Sequence, residues 1–223
     1  GRLCGKKGSE LQFKEVTDIT TDRHRNLYIL DSAERVLKKF DVNGLLQFSF
    51  SGGSKDLNFS KPEKILLDGE GNIYIMDSGN NLIYKFDPNR RHVGTWGNYA
   101  QGGGKLTKPA DMAIGRDGTL YVVDSLEHEV KAFEKDRRFL LRFGTEGEGN
   151  GEFLEPAGID LDAEGFIYVL DSGRNCVQVF DRGCHFVRKF SCAGSGQVVD
   201  LAIDRRLESI YVLNGVSAEI MAY

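Results

Sequence analysis

The sequence predicts an all-β fold, a β-propeller of five four-stranded blades in a single domain spanning residues 1–223. Three observations predict it. A short pattern, apolar-Tyr-apolar-apolar-Asp-Ser, recurs along the chain; an aromatic follows each Asp (or Asn) by nine residues; and no stretch carries a helical period. The copies are Leu27-Tyr28-Ile29-Leu30-Asp31-Ser32, Ile73-Tyr74-Ile75-Met76-Asp77-Ser78, Leu120-Tyr121-Val122-Val123-Asp124-Ser125 and Ile167-Tyr168-Val169-Leu170-Asp171-Ser172, with a worn fifth, Ile210-Tyr211-Val212-Leu213-Asn214. Their tyrosines advance by 46, 47, 47 and 43 residues, and the trailing aromatics are Phe40, Phe86, Phe133, Phe180 and Tyr223.

Within a repeat the segments are short and bounded by turns. In the fourth, residues 158–161 read as a strand and Asp162-Ala163-Glu164-Gly165 as a turn. Residues 166–170 form the second strand, 171–175 a second turn, and 176–180 and 186–190 the last two strands, separated by Asp181-Arg182-Gly183. Apolar runs of four to six residues between Gly, Asp and Asn are what short buried strands require. The repeats run at approximately 8–54, 55–101, 102–149, 150–194 and 195–223, the last completed by residues 1–7. Cys4-Gly5 precedes Phe13 much as Phe143-Gly144 precedes Phe153, so the N-terminal strand is expected to complete the fifth blade and close the ring. An incomplete six-bladed propeller is the alternative. Because one four-stranded sheet cannot cover both its faces, blades must stack, with the recurring Tyr and Phe between them.

Composition narrows the function classes. Hydrophobic residues make up 40% and charged residues 28%, and 27 Gly against 4 Pro fit many tight turns. A chain of this length buries roughly 70% of its unfolded surface and needs no metal or disulfide to hold a core. Net charge is −4, which argues against non-specific affinity for nucleic acid or anionic membrane. The longest apolar runs are far shorter than the ~20 residues of a spanning helix, so no membrane insertion is expected. The start Gly1-Arg2-Leu3-Cys4, without Met or an apolar leader, reads as a mature form or an excised piece. Cys4, Cys176, Cys184 and Cys192 form no disulfide framework and no CxxC. Cys176 and Cys192 fall on adjacent strands, as a bridge or as free thiols. The compartment stays open: extracytoplasmic or periplasmic for a bacterial chain, cytoplasmic for an RNA-binding one.

The stretches Pro62 to Asp87 and Pro156 to Asp181 carry a Pro, an apolar strand ending in Asp, Gly-(Asn/Phe)-Ile-Tyr with a following Asp, then Asn and an apolar strand ending in Phe-Asp. In these residues the chain resembles the NHL-repeat family over essentially its whole length. The first repeat departs with Val16 in place of Pro, the fifth with Val198 there and Asn214 for Asp. The resemblance implies a propeller, usually six-bladed, serving as a platform for protein or RNA.

Candidate sites follow from the surfaces such blades offer. Asp18, Lys64, Asp111, Gly158 and Asp200, with Thr20, Leu66, Ala113, Asp160 and Ala202 two residues on, should line the central channel. Ile19, Ile65, Met112, Ile159 and Leu201 between them belong in the core. Asp18, Asp111, Asp160 and Asp200 are candidate oxygen ligands for Ca2+ or another hard cation; no other cofactor is expected. Asp31, Asp77, Asp124 and Asp171 suit backbone hydrogen bonding in turns. His24, His92, His128 and His185 fall in or beside turns, one per repeat, and no GxSxG, HExxH or P-loop occurs, so no catalytic residue is assigned. Arg90, Arg91 and His92, then Arg137 and Arg138, then Arg182 and His185 form a basic rim of third-to-fourth-strand turns. Trp96, Asn98 and Tyr99 are candidate partner contacts, Trp96 also a packing candidate. The expected function is a non-catalytic protein-interaction scaffold. RNA binding through the basic rim, and a metal-dependent enzyme or ligand site in the channel, are the alternatives.

Overall fold

The structure, a computed structural model, describes residues 12–52, 57–97, 103–192, 197–204 and 209–223. Among them there is no helix; five antiparallel sheets follow one another along the chain as propeller-type blades. The chain divides into two compact units, Gly1–Asn98 and Tyr99–Tyr223.

The first unit holds two sheets. One runs in order through β1 (Val16–Thr21), β2 (Leu27–Asp31), β3 (Val36–Phe40) and β4 (Leu46–Phe50); the other through β5 (Pro62–Leu67), β6 (Ile73–Asp77), β7 (Leu82–Phe86) and β8 (His92–Trp96). The second unit holds three. They are β9 (Pro109–Ile114), β10 (Leu120–Asp124), β11 (Glu129–Phe133) and β12 (Phe139–Phe143); β13 (Pro156–Leu161), β14 (Ile167–Asp171), β15 (Cys176–Phe180) and β16 (Phe186–Ser191); and β17 (Val198–Asp204), β18 (Ser209–Asn214) and β19 (Ile220–Ala222). The fifth sheet thus has three strands among the described residues. The strand expected from residues 1–7 lies outside them.

Register repeats faithfully. The second-strand Tyr faces the fourth residue of the third strand in every four-stranded blade: Tyr28↔Lys39, Tyr74↔Lys85, Tyr121↔Ala132, Tyr168↔Val179. Left-handed backbone recurs at equivalent turn positions. In second-to-third-strand turns it falls on Arg35, Asn81, His128 and Asn175, and in third-to-fourth-strand turns on Gly44, Arg90, Arg137 and Cys184. Each of the latter four donates its amide to the carbonyl three residues earlier, a type I turn followed by one left-handed residue.

The core lies between successive sheets of a unit. Leu30, Leu37 and Phe50 of the first blade meet Phe59, Ile65, Ile75 and Phe86 of the second. Val123, Val130 and Ala132 of the third meet Phe153, Ile159, Val169 and Phe180 of the fourth, whose other face packs Leu170 and Val177 on Leu201 and Val212. Equivalent aromatic trios close two of these seams: Phe50, Phe59 and Phe86 in one, Phe143, Phe153 and Phe180 in the other. Burying such rings accounts for the repeated aromatics, at about 1.5–3 kcal/mol each. Of the residues expected in the core between the channel positions, Ile65, Met112, Ile159 and Leu201 are buried, whereas Ile19 is 60% exposed. Among the described residues of its unit, β1 packs chiefly on β2 and β5.

Candidate functional site

The four turn aspartates sit at zero exposure and fasten each blade to the segment entering it. Asp31 accepts the amides of Lys14 and Glu15, Asp77 those of Ser60 and Lys61, Asp124 those of Thr107 and Lys108, and Asp171 those of Leu154 and Glu155. The following serine donates its amide back to the same segment, to the carbonyls of Glu15, Lys61, Lys108 and Glu155. The third residue of the third strand varies around this clasp. Lys131 donates from its ammonium to Asp124 (2.7 Å) and to the Lys105 carbonyl (2.6 Å), while Gln178 donates to the Glu152 carbonyl and accepts from the Gly151 amide.

The channel-position aspartates have a second recurrent task. Asp18 accepts the amide of Ile65, Asp111 that of Ile159 and Asp160 that of Ile203, at 2.8, 2.9 and 2.9 Å. One carboxylate oxygen therefore ties each innermost strand to that of the next blade in the same unit. Asp18, Asp160 and Asp200 also each accept the amide of the residue that follows them. These bonds engage all four carboxylates with backbone amides. Among the described residues no three His, Cys, Asp or Glu side chains gather as a metal site.

The basic rim is divided by its own acids. Arg138 pairs with Glu134, Arg90 stacks its guanidinium 4.5 Å from the centre of the Phe48 ring, and His92 bonds Thr95 at 2.9 Å. Asp181 accepts the Gly183 and His185 amides and the His185 ring; the His185 amide foremost holds its carboxyl below the usual carboxylate range. Arg91 and Arg137 are exposed. Trp96, an expected partner contact, is 2% exposed and packs on Tyr74 at 5.6 Å between ring centres, so it is a core residue of its blade and offers no surface to a partner. Asn98 and Tyr99 lie outside the described residues.

Two clefts repeat one another, each between successive first-to-second-strand turns. One, of ≈ 370 Å3, lies in the first unit and is lined by Asp22, Arg23, Tyr28, Lys39 and Asp68 among others. Its counterpart in the second unit, of ≈ 340 Å3, is lined by Ile114, Arg116, Tyr121, Leu161, Asp162 and Arg182 among others. Sequence reasoning missed both. The signal that could have found them is the row Asp22, Asp68, Gly115, Asp162, Asp204, in which one carboxylate is missing.

The second unit also presents exposed edge side chains. On β12, the outermost strand of the third blade, Leu140 and Leu141 are 37% and 39% exposed, beside Arg142, whose guanidinium lies 3.5 Å from Glu129. On β16, at the edge of the fourth, Val187, Arg188 and Lys189 are exposed.

Residues 114–192 match the family model DUF5128, described as a 6-bladed beta-propeller. No curated protein matches the chain in sequence. Among solved structures, a streptogramin B lyase aligns with a TM-score of 0.72 at 12% identity, covering 96% of this chain and 70% of that one. A catalytically inactive virginiamycin B lyase from Staphylococcus aureus, solved with quinupristin, aligns at 0.68 and 14% identity, covering 96% and 72%. A gluconolactonase from Xanthomonas campestris aligns at 0.69 and 16%, covering 90% and 69%. At such identities the likeness is one of fold. This chain is thus similar to propeller proteins along nearly all its length, and the family match covers part of the third blade and the fourth.

Proposed function

We propose that the protein is a non-catalytic interaction module, and that the outer edge of its third blade receives a protein segment carrying acidic and apolar residues. The observation that supports this reading is β12, where Leu140 and Leu141 stand exposed at a sheet edge among Arg137, Arg138 and Arg142. Adjacent exposed leucines on an edge strand leave apolar surface in water that a partner can cover. Arg138 and Arg142 already face Glu134 and Glu129, so the exposed Arg137 beside them is what favours an acidic partner. An edge strand also offers unpaired backbone groups to an extended segment. The turn aspartates support the same reading, since their carboxylates are engaged in holding backbone.

The test is capture of native partners by the wild-type chain and by a Leu140→Ser, Leu141→Asp, Arg142→Glu variant. A partner bound by the first and lost by the second is the expected result. Retention of every partner by the variant overturns the reading. So does turnover of a lactone or cyclic-ester substrate that the variant preserves, or salt-sensitive retention of single-stranded RNA lost with Arg137 and Arg138.

A further inference from the structure

Three repeats answer the tyrosine of their second strand with a carboxylate, and the third repeat does not. Tyr28 donates its hydroxyl to Asp22 at 3.4 Å, Tyr74 to Asp68 at 3.3 Å and Tyr168 to Asp162 at 3.1 Å. The equivalent residue of the third repeat is Gly115, and the hydroxyl of Tyr121, a residue only 8% exposed, makes no hydrogen bond among the described residues. No base stands here either: Lys39 pairs with Asp22 at 3.2 Å and Lys85 with Asp68 at 3.6 Å, whereas the position is Ala132 in the third blade and Val179 in the fourth, which keeps its Asp162. Asp117 takes over only the backbone share of the task, accepting the Thr119 amide and hydroxyl.

Tyr121 borders the ≈ 340 Å3 cleft, so a ligand held there can reach a hydroxyl that has no protein partner among the described residues. Arg116, also on that wall, makes no ion pair or hydrogen bond among the described residues. Arg182 is engaged through Nε with the Glu164 carbonyl and keeps its other donors. Ile114 and Leu161 supply apolar wall. We propose that this cleft binds a small organic carboxylate, whose oxygens take the place of the missing turn carboxylate and accept from the Tyr121 hydroxyl and the Arg116 guanidinium. Its apolar body lies on Ile114 and Leu161. Burial pushes the Tyr121 phenol up to about 12, so it is a donor at neutral pH. The cleft of the first unit carries Asp22 and Lys39 where a ligand carboxylate would sit, and serves as an internal control.

Benzoate and the neutral benzamide are titrated into the full chain while the amide resonances of Gly115, Ala163 and Gly165 are followed. Benzoate should shift them saturably in the millimolar range or below, with benzamide much weaker. Tyr121→Phe should weaken benzoate about tenfold, the equivalent of one charge-assisted hydrogen bond. Gly115→Asp restores the carboxylate of the other repeats and should close the site by a similar factor. A Cβ there meets only Asp117 Oδ1 under 3.4 Å, at 2.6 Å, the end of a side chain that can turn away. If Gly115→Asp fails to fold, Tyr121→Phe decides the matter alone. No saturable shift with millimolar benzoate, equal shifts with benzamide, or full affinity in Tyr121→Phe would overturn the proposal.

Discussion

Asp111 accepts the backbone amide of Ile159 at 2.9 Å, a buried hydrogen bond that spans 48 residues and joins the innermost strands of the third and fourth blades. Losing the acceptor leaves the Ile159 amide without this partner in a site closed to water. Asp111→Ala is expected to cost about 1–3 kcal/mol, and Asp111→Asn less, because it keeps an acceptor oxygen. Urea unfolding of the two variants beside the wild type measures this; equal midpoints for all three would refute it.

Asp22 gives the chain a defined acid response. Burial alone would raise its carboxyl, but hydrogen bonds from the Asn26 side chain and amide, with the Lys39 ammonium, outweigh it and hold the group at about 2 against the ordinary 3.8. The folded state favours the ionised form, so the contribution is complete above the unfolded value and fades as pH falls from 3.8 towards 2. Asp22→Asn should lower stability at neutral pH and flatten the loss across that window, as read from denaturation midpoints at stepped pH.

Arg35 adopts a φ of 55° at a turn position where Asn81 and Asn175 stand in other blades. A side chain with a Cβ is strained there by roughly 1–2 kcal/mol, partly offset by the extra unfolded-state freedom a glycine brings. Arg35→Gly is therefore expected to raise stability by about 0.5–1 kcal/mol. Thermal unfolding that moves down instead would show that the Arg35 side chain contributes more than its backbone costs.

Trp96 is the chain's single tryptophan, and its indole nitrogen is buried without a hydrogen-bond partner. Its fluorescence should be blue-shifted and poorly quenched by iodide, turning red when the first unit unfolds. Emission of a solvated indole in the native protein would contradict the packing on Tyr74.

Burial pushes the thiols of Cys184 and Cys192 up to about 11, and also raises that of Cys176. Because the thiolate is the reactive form, all three should alkylate slowly at mildly alkaline pH and rapidly once unfolded. Peptide-level mass spectrometry after pulsed alkylation distinguishes the two; fast labelling of Cys184 in the native chain would be the contrary result.

Strand positions were legible because each repeat pairs an apolar run with a turn that needs Asp, Gly or Asn, and four similar copies make the period plain. The partners of the aspartates were harder to read. A carboxylate at a repeated inner-strand position suits a cation and a backbone amide equally well as chemistry, and only the register that brings Ile65 to Asp18, or Ile159 to Asp111, shows the amide. Trp96 was ambiguous for a related reason, since an indole at the end of an outer strand serves a seam or a partner, and the ring of Tyr74 decides. The cleft beside Tyr121 escaped notice because it arises from what Gly115 and Ala132 lack, and deletions of function leave no motif.

The bonds from Asp18 to Ile65, Asp111 to Ile159 and Asp160 to Ile203 all run from a repeat to its successor. The first, third and fourth repeats thus carry the latch for the one that follows, together with their own turn clasps. A gene segment encoding one such unit brings a complete set of joinery when copied, so a lineage can lengthen by tandem duplication without inventing a new seam, and later divergence is free to hollow out a single copy.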